Sequence, residues 1–225
     1  MYKDKLEEGI KIKVIGDSIA AGGGSSMSYR TEELIFEDEG TKYFKRAAPN
    51  SWWGLLEKYL QDNYIACTIE NKGCGGAFSC QINKYIDTLI ANDDNLVFIL
   101  MGLNDRKIEN GMEKLKANCE CVVDKLVSKG KMIVILTPTP SVHSNEYYPN
   151  RIYHTDNVIN ILRDVADSRK ILLVDNYQFV MEYLKINQLN IDDIIYGDGC
   201  GNDGLHPSDY VHKLIFQNLI QTLQI

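Results

Sequence analysis

The sequence predicts an α/β fold: a five-stranded parallel sheet covered by helices on both faces, a three-layer sandwich. Three observations carry this. Short apolar segments alternate with segments of helical periodicity along the chain. Residues 95–101 read Asn-Leu-Val-Phe-Ile-Leu-Met, an apolar run without polar alternation, as a strand buried on both faces requires. Strands joined through helices lie parallel, because each right-handed crossover returns the chain to the same end of the sheet.

The elements follow in order. Residues 11–15 (Lys-Ile-Lys-Val-Ile) form the first expected strand. Trp52, Leu55, Leu56, Tyr59 and Leu60 recur at helical spacing behind Ser51, whose hydroxyl suits a helix N-cap. Residues 64–70 are the second strand. Ile82, Tyr85, Ile86, Leu89 and Ile90 make one helix face after Ser79. Residues 95–101 are the third strand, and Met112, Leu115, Cys119, Val122, Val123 and Leu126 mark the next helix. Residues 131–136 are the fourth strand, 152–166 a helix and 170–174 the fifth strand. A last helix carries Val211, Leu214, Ile215 and Leu219. Neither repeat, low-complexity tract nor linker interrupts the series, so a single domain over residues 1–225 is expected. Three connections, 20–50, 137–150 and 190–202, are too long for simple crossovers. The first has room for a hairpin over residues 33–46, turning at Asp38-Glu39-Gly40.

Composition narrows the function. The 225 residues carry 24 Lys and Arg against 31 Asp and Glu, a formal charge of −7. Phosphate neutralisation needs clustered Lys and Arg, so no nucleic-acid partner is expected. An anionic membrane surface is disfavoured for the same reason. No apolar run approaches the ~20 residues of a membrane helix. The polar start, Met1-Tyr-Lys-Asp-Lys-Leu-Glu-Glu, lacks the apolar core of a signal peptide. No membrane insertion and a cytoplasmic location are therefore expected. The six cysteines include no C-x-x-C pair, and Cys119-Glu-Cys121 sits in a helical stretch. Buried free thiols are expected, rather than disulfides or a zinc site, and no metal is called for.

In open parallel sheets, ligands bind beyond the carboxyl ends of the strands. Gly16-Asp17-Ser18-Ile19 follows the first strand and Asn71-Lys72-Gly73-Cys74-Gly75-Gly76 the second. Gly102-Leu103-Asn104-Asp105 follows the third, Thr137-Pro138-Thr139-Pro140 the fourth, and Asp203-Gly204-Leu205-His206-Pro207 precedes the last helix. A hydroxyl, a glycine turn, a carboxamide and an Asp/His pair thus converge on one edge. These are the parts of a serine acyl-transfer site. The Ser18 hydroxyl needs a base to take its proton. His206 can serve if a carboxylate fixes its tautomer, and Asp203, three residues earlier, reaches the same side of one turn. The tetrahedral oxyanion needs donors set before reaction, and the backbone N–H groups of Ser18 and Gly76 with the Asn104 carboxamide supply three.

At this point the chain resembles the SGNH (GDSL-type) hydrolases, over nearly its whole length. Gly16-Asp17-Ser18 resembles the block that carries the nucleophile. Asn71-x-Gly73-x-Gly75-Gly76 resembles the block whose last glycine donates to the oxyanion, which selects Gly76 over Gly75. Gly102-x-Asn104-Asp105 resembles the block with the third donor, and Asp203-x-x-His206-Pro207 the block that completes the triad. Ile19 stands where Leu is usual, an apolar exchange. The resemblance implies a flavodoxin-like sheet and esterase or acylhydrolase activity without a cofactor.

Plainer roles exist for each residue. Ser18 could cap a helix, and Asn104 and Asp105 could form turns; four blocks in order favour catalysis. Asp105 is expected to orient its own loop, Asp17 to pin the loop beside the serine, and Gly73 and Gly75 to shape their turn. His143, His154 and His212 compete with His206, but none combines an acid three residues earlier with a following Pro. Trp52 and Trp53 are expected in the core and His143 at the surface. The run Gly22-Gly23-Gly24 meets neither nucleotide-binding fingerprint. Gly-Asp-Ser-Ile-Ala is not the G-x-S-x-G elbow of the larger α/β-hydrolase class. The expected reaction is ester hydrolysis through an acyl-serine. The polar 20–50 segment suits a hydrophilic substrate, such as an acetylated carbohydrate or another small-molecule ester. A lipid acylhydrolase or thioesterase is the alternative within the family, and a non-catalytic binding module the alternative outside it.

Overall fold

The computed structural model describes residues 2–197 and 202–225. In chain order these form α1 (Tyr2–Glu8), β1 (Lys11–Gly16), β2 (Tyr29–Asp38), β3 (Thr41–Ala47), α2 (Trp52–Asn63), β4 (Thr68–Asn71), α3 (Ser79–Lys84), α4 (Ile86–Leu89) and β5 (Leu96–Leu100). There follow α5 (Gly111–Ser128), β6 (Met132–Leu136), α6 (His143–Glu146), α7 (Thr155–Ser168), β7 (Leu172–Val174), α8 (Asn176–Asn187), α9 (Asp192–Ile195) and α10 (Asp209–Leu223).

Five strands form one parallel sheet in the order β4-β1-β5-β6-β7, the flavodoxin-like order. Alternate residues of each strand point to opposite faces. Ile15, Val97, Ile99, Ile133 and Ile135 face α3, α4, α5 and α7 and bury Ile82, Ile86, Leu115, Val122, Val158 and Leu162 with them. Val14, Phe98, Leu100, Val134 and Val174 face the other way, onto Trp52, Leu56 and Leu60 of α2 and Ile215 and Leu219 of α10. All five residues of β5 are buried, as its unbroken apolar run requires. Both tryptophans are in the interior. Among the described residues no helix is long and apolar enough to cross a membrane.

The expected strands and major helices are present, with shifted ends. The second strand starts at Thr68 rather than 64, because Tyr64 closes α2 by donating its N–H to the Leu60 carbonyl at 2.7 Å. The fifth starts at Leu172, because Lys170 takes a left-handed turn and Ile171 still donates to Ala166 at the end of α7. The helix expected over 82–90 is two short ones, broken at Tyr85. The helix expected from 152 begins at Thr155, where the Asn157 side chain accepts from the His154 N–H. Four helices, α1, α6, α8 and α9, have no counterpart in the sequence reading. α6 and α9 are four residues each, and the other two bury narrow stripes: Leu6 in α1, and Asn176, Val180 and Leu184 in α8.

The hairpin in the first long connection is real and longer than its expected bounds, with Glu39 and Gly40 in left-handed conformations at its turn. It lies against α3 and α4, where Phe36 stacks on Tyr85 at 4.4 Å and Asp38 accepts from Gln81, Lys84 and Tyr85. Of the third long connection, 190–202, residues 198–201 lie outside the described residues, and with them Cys200. Cys67, Cys74 and Cys119 are buried free thiols, but Cys80 is exposed and Cys121 half-buried, on the outer sides of their helices.

Candidate active site

The site forms where β1, β4 and β5 end. Gly16 closes β1 with φ of +142°, and a Cβ there would lie 1.7 Å from the Leu100 carbonyl oxygen, so only glycine lets the chain turn this close to β5. The turn is pinned from below by Asp17. Its carboxylate accepts from the Ile19 N–H at 3.0 Å and the Leu103 N–H at 3.2 Å, which ties the Ser18 loop to the loop after β5. Burial pushes the Asp17 carboxyl up to about 6, against the pull of those two N–H groups. Trp52 holds the same turn from α2, its indole N–H donating to the Ile19 carbonyl at 3.0 Å.

Ser18, His206 and Asp203 meet in one hydrogen-bonded line. His206 Nε2 is 2.8 Å from Ser18 Oγ, and His206 Nδ1 is 2.9 Å from Asp203 Oδ2. The other Asp203 oxygen accepts the backbone N–H groups of Leu205 and His206, both at 3.0 Å. Burial alone would raise the Asp203 carboxyl, but the imidazole and the two backbone donors outweigh it and hold it well below the usual carboxylate range. An ionised Asp203 can only accept, so Nδ1 carries the proton and Nε2 is left to accept from the Ser18 hydroxyl. The 20–25 segment walls in the ring. A Cβ on Gly23 would lie 3.0 Å from His206 Cδ2, and one on Gly24 2.4 Å from the Pro207 carbonyl oxygen.

The Asn104 carboxamide is fixed at both ends. Its Nδ2 donates to the Ala77 carbonyl at 3.0 Å, and its Oδ1 accepts from Lys107 Nζ at 2.7 Å. The second amide hydrogen has no protein acceptor among the described residues. Gly76 precedes Ala77 on an exposed turn with φ of +83°, and open space surrounds the position of a Cβ. Asp105 does more than orient its own loop, which corrects the expectation for it. Its carboxylate accepts the Ser79 N–H at 3.0 Å and the Ser79 hydroxyl at 2.6 Å, so it caps α3 and fixes the glycine loop from the far side.

The competing histidines are elsewhere. His212 is buried in α10, accepting from the Trp52 N–H at 3.3 Å and donating to the Gly23 carbonyl at 3.1 Å. Burial pushes it down to about 4. His143 is exposed and stacked on Tyr147, which also meets His154.

Sequence reasoning missed the support from the 137–150 connection. Arg106 is fully buried and donates to the Leu103 carbonyl at 3.2 Å, Thr155 Oγ1 at 2.6 Å, Glu146 Oε1 at 3.1 Å and Asn145 Oδ1 at 3.4 Å. Asn145 in turn donates to the Asp203 carbonyl at 3.2 Å, and Val142 N–H to the Gly204 carbonyl at 2.9 Å. The only sequence signal was two adjacent charges, Arg106 and Lys107, directly after Asn104-Asp105.

The family model of the GDSL-like lipase/acylhydrolase family matches residues 14–214. Fold and match define the class, an ester-cleaving serine hydrolase on a parallel α/β sheet. The chain belongs to the GDSL-like lipase/acylhydrolase family. Among solved structures it is similar to Axe2, an acetylxylan esterase from Geobacillus stearothermophilus, with a TM-score of 0.70 and 21% identity over 96% of this chain and 95% of that one. LAE5, an alpha/beta hydrolase enzyme from the metagenome of Lake Arreo, Spain, gives 0.71 and 19% over 96% and 95%. At these identities the likeness speaks for the fold. The sequence matches none of the curated proteins compared with it.

Proposed function

We propose that this enzyme removes acetyl groups from hydroxyls of a carbohydrate, with residues 1–225 acting as one catalytic unit. Ser18 is the nucleophile, His206 the general acid and base, and Asp203 the carboxylate that orients it. The Ser18 and Gly76 N–H groups and Asn104 Nδ2 form the oxyanion hole. The observation that carries this reading is the unbroken line from Asp203 Oδ2 through His206 to Ser18 Oγ.

In the acylation step His206 Nε2 takes the Ser18 proton as Oγ bonds to the acetyl carbon, and the carbonyl electron pair moves onto oxygen. The oxyanion faces donors that need no reorientation, because Asn104 is already held by Ala77 and Lys107. Collapse breaks the bond to the sugar oxygen, which leaves with the proton from His206. Water then repeats the sequence on the acetyl-serine, releasing acetate and restoring Ser18. The polar 20–50 segment beside His206 and the acetylxylan esterase named among the similar structures support a hydrophilic acetyl ester.

A serine-directed phosphonate tests the nucleophile: one adduct per chain, mapped to Ser18. Labelling at Ser25 or Ser26 would overturn it; those hydroxyls are bound to Gly22 and Asp209. Ser18→Ala should lower kcat by several orders of magnitude with the fold intact. Acetyl esters of xylo-oligosaccharides should be cleaved faster than octanoyl esters. The reverse preference would sink the carbohydrate reading.

A further inference from the structure

Two cations stand beside the proposed triad without a carboxylate of their own. Lys107 is half-buried with its ammonium on Asn104 Oδ1. Arg151 sits next to it, because the Ile152 N–H donates to the Arg106 carbonyl at 2.8 Å and draws the 151–152 segment against 106–107. Arg151 donates to Asn150 Oδ1 at 2.8 Å and lies 6.0 Å from the centre of the Tyr148 ring, while its buried Nε has no protein partner. Among the described residues neither cation forms an ion pair. Some other long basic side chains do: Lys129 with Asp87, Arg163 with Asp175, Arg169 with Asp124. The nearby carboxylate, Asp203, has both oxygens committed to His206 and its own turn.

Arg151 and Asp203 line the same open cleft, of about 460 Å³, with Ser144, Asn145 and Tyr148. The cleft therefore runs from the triad acid to an unpaired guanidinium. The two cations also oppose each other. Burial, then the Arg151 and Arg106 guanidinium groups, push the Lys107 ammonium below its ordinary range. A fold does not hold two like charges together and partly desolvated for its own stability, and an anion between them would relieve both.

We infer that Lys107 and Arg151 form a subsite for an oxyacid anion, so the acylated sugar this enzyme takes carries a carboxylate or a phosphate near its ester. The planar guanidinium fork offers two parallel donors to such a group, and Lys107 adds a point charge on the oxyanion-hole side. This inference rests on the acetyl-esterase reading of Ser18, His206 and Asp203, and deepens it.

The test compares three monoacetates with the acetyl group at one position: methyl glucoside, methyl glucuronide and methyl glucoside 6-phosphate. The native enzyme should favour at least one anionic ester over the neutral one by about tenfold in kcat/KM, the worth of one charge-assisted contact. The winning arm identifies the anion. Arg151→Gln should bring the ratio close to one, Arg151→Lys should restore part of it, and high salt should shrink it. Non-acetylated methyl glucuronide or methyl glucoside 6-phosphate should also inhibit turnover of the neutral ester by the native enzyme, with methyl glucoside much weaker. This covers a variant that fails to fold. Equal kcat/KM on all three esters, or equal inhibition by charged and neutral sugars, would overturn the subsite. A ratio that Arg151→Gln leaves unmoved would do the same. Absence of turnover on all three, with Ser18 unlabelled by phosphonate, would instead strike the underlying acetyl-esterase reading.

Discussion

Asp105 grips Ser79 through both its backbone N–H and its hydroxyl, at 3.0 and 2.6 Å, while the neighbouring Asn104 holds Ala77 two residues earlier. Adjacent residues of one loop thus clamp the glycine turn of another at two points. A Cβ at Gly76 would meet nothing within 4 Å. Asp105→Ala leaves two buried Ser79 donors unpaired and should cost about 2–4 kcal/mol of stability. In the folded fraction kcat should fall about tenfold as the Gly76 N–H loses its place. Ser79→Ala keeps the backbone bond but removes the hydroxyl's bonds to Asp105 and from Asn118, and should cost about 1–2 kcal/mol. Denaturant titration alongside kcat separates the two effects, and an unchanged kcat in Asp105→Ala would detach Asp105 from the proposed oxyanion hole.

Asn104→Ala removes a donor held in position before the reaction starts. The expected loss is ~10²–10³ in kcat with little change in KM. A raised KM with kcat preserved would mean that the carboxamide binds the ground state instead.

Asp203→Asn separates the two jobs of this carboxylate. Oδ1 can still accept from Leu205 and His206, so the turn should keep its shape. The amide that replaces Oδ2 faces Nδ1 with a donor, which turns the imidazole to the wrong tautomer. The expected fall in kcat is on the order of 10⁴, with an unchanged circular dichroism spectrum. Full activity would mean that another acid orients His206.

Asp17 and His212 give opposite slopes of stability against pH. Burial raises Asp17 to about 6, so the folded state holds its proton more tightly, and this stabilisation is lost as pH rises from about 4 through 6. Burial lowers His212 to about 4, so its stabilisation is present above about 6.5 and lost as pH falls through 4. Each contributes about 3 kcal/mol, and between pH 4 and 6 they oppose one another. Asp17→Asn should therefore steepen the loss of stability in acid, and His212→Asn should flatten or reverse it. Urea midpoints at pH 4.5 and 6.5 read this directly; variants that parallel the native enzyme would refute it.

Much of the fold was legible because the signals were local. β5 is buried on both faces and reads as an unbroken apolar run; α2 and α5 bury full stripes. α8 was not legible because it buries only Asn176, Val180 and Leu184 and leaves Ile186 exposed, too narrow a stripe to stand out. The residues of the proposed site were legible as types at strand ends. Their supports were not. That Asp105 reaches Ser79, and that Arg106 reaches Thr155 and Asn145, depends on loops meeting across 26, 49 and 39 positions, which no periodicity records.

Ser18 and His206 are 188 positions apart, and His206 stands at the entrance to α10, whose Ile215 and Leu219 must dock on the sheet before the ring is held. As the chain is synthesised, β1 and its serine emerge 188 positions before the histidine. Until residue 206 is made, the molecule carries the Ser18 hydroxyl without the base proposed for it. On the proposed roles, docking of α10 is what arms the site, so the serine gains its reactivity only when that helix is in place.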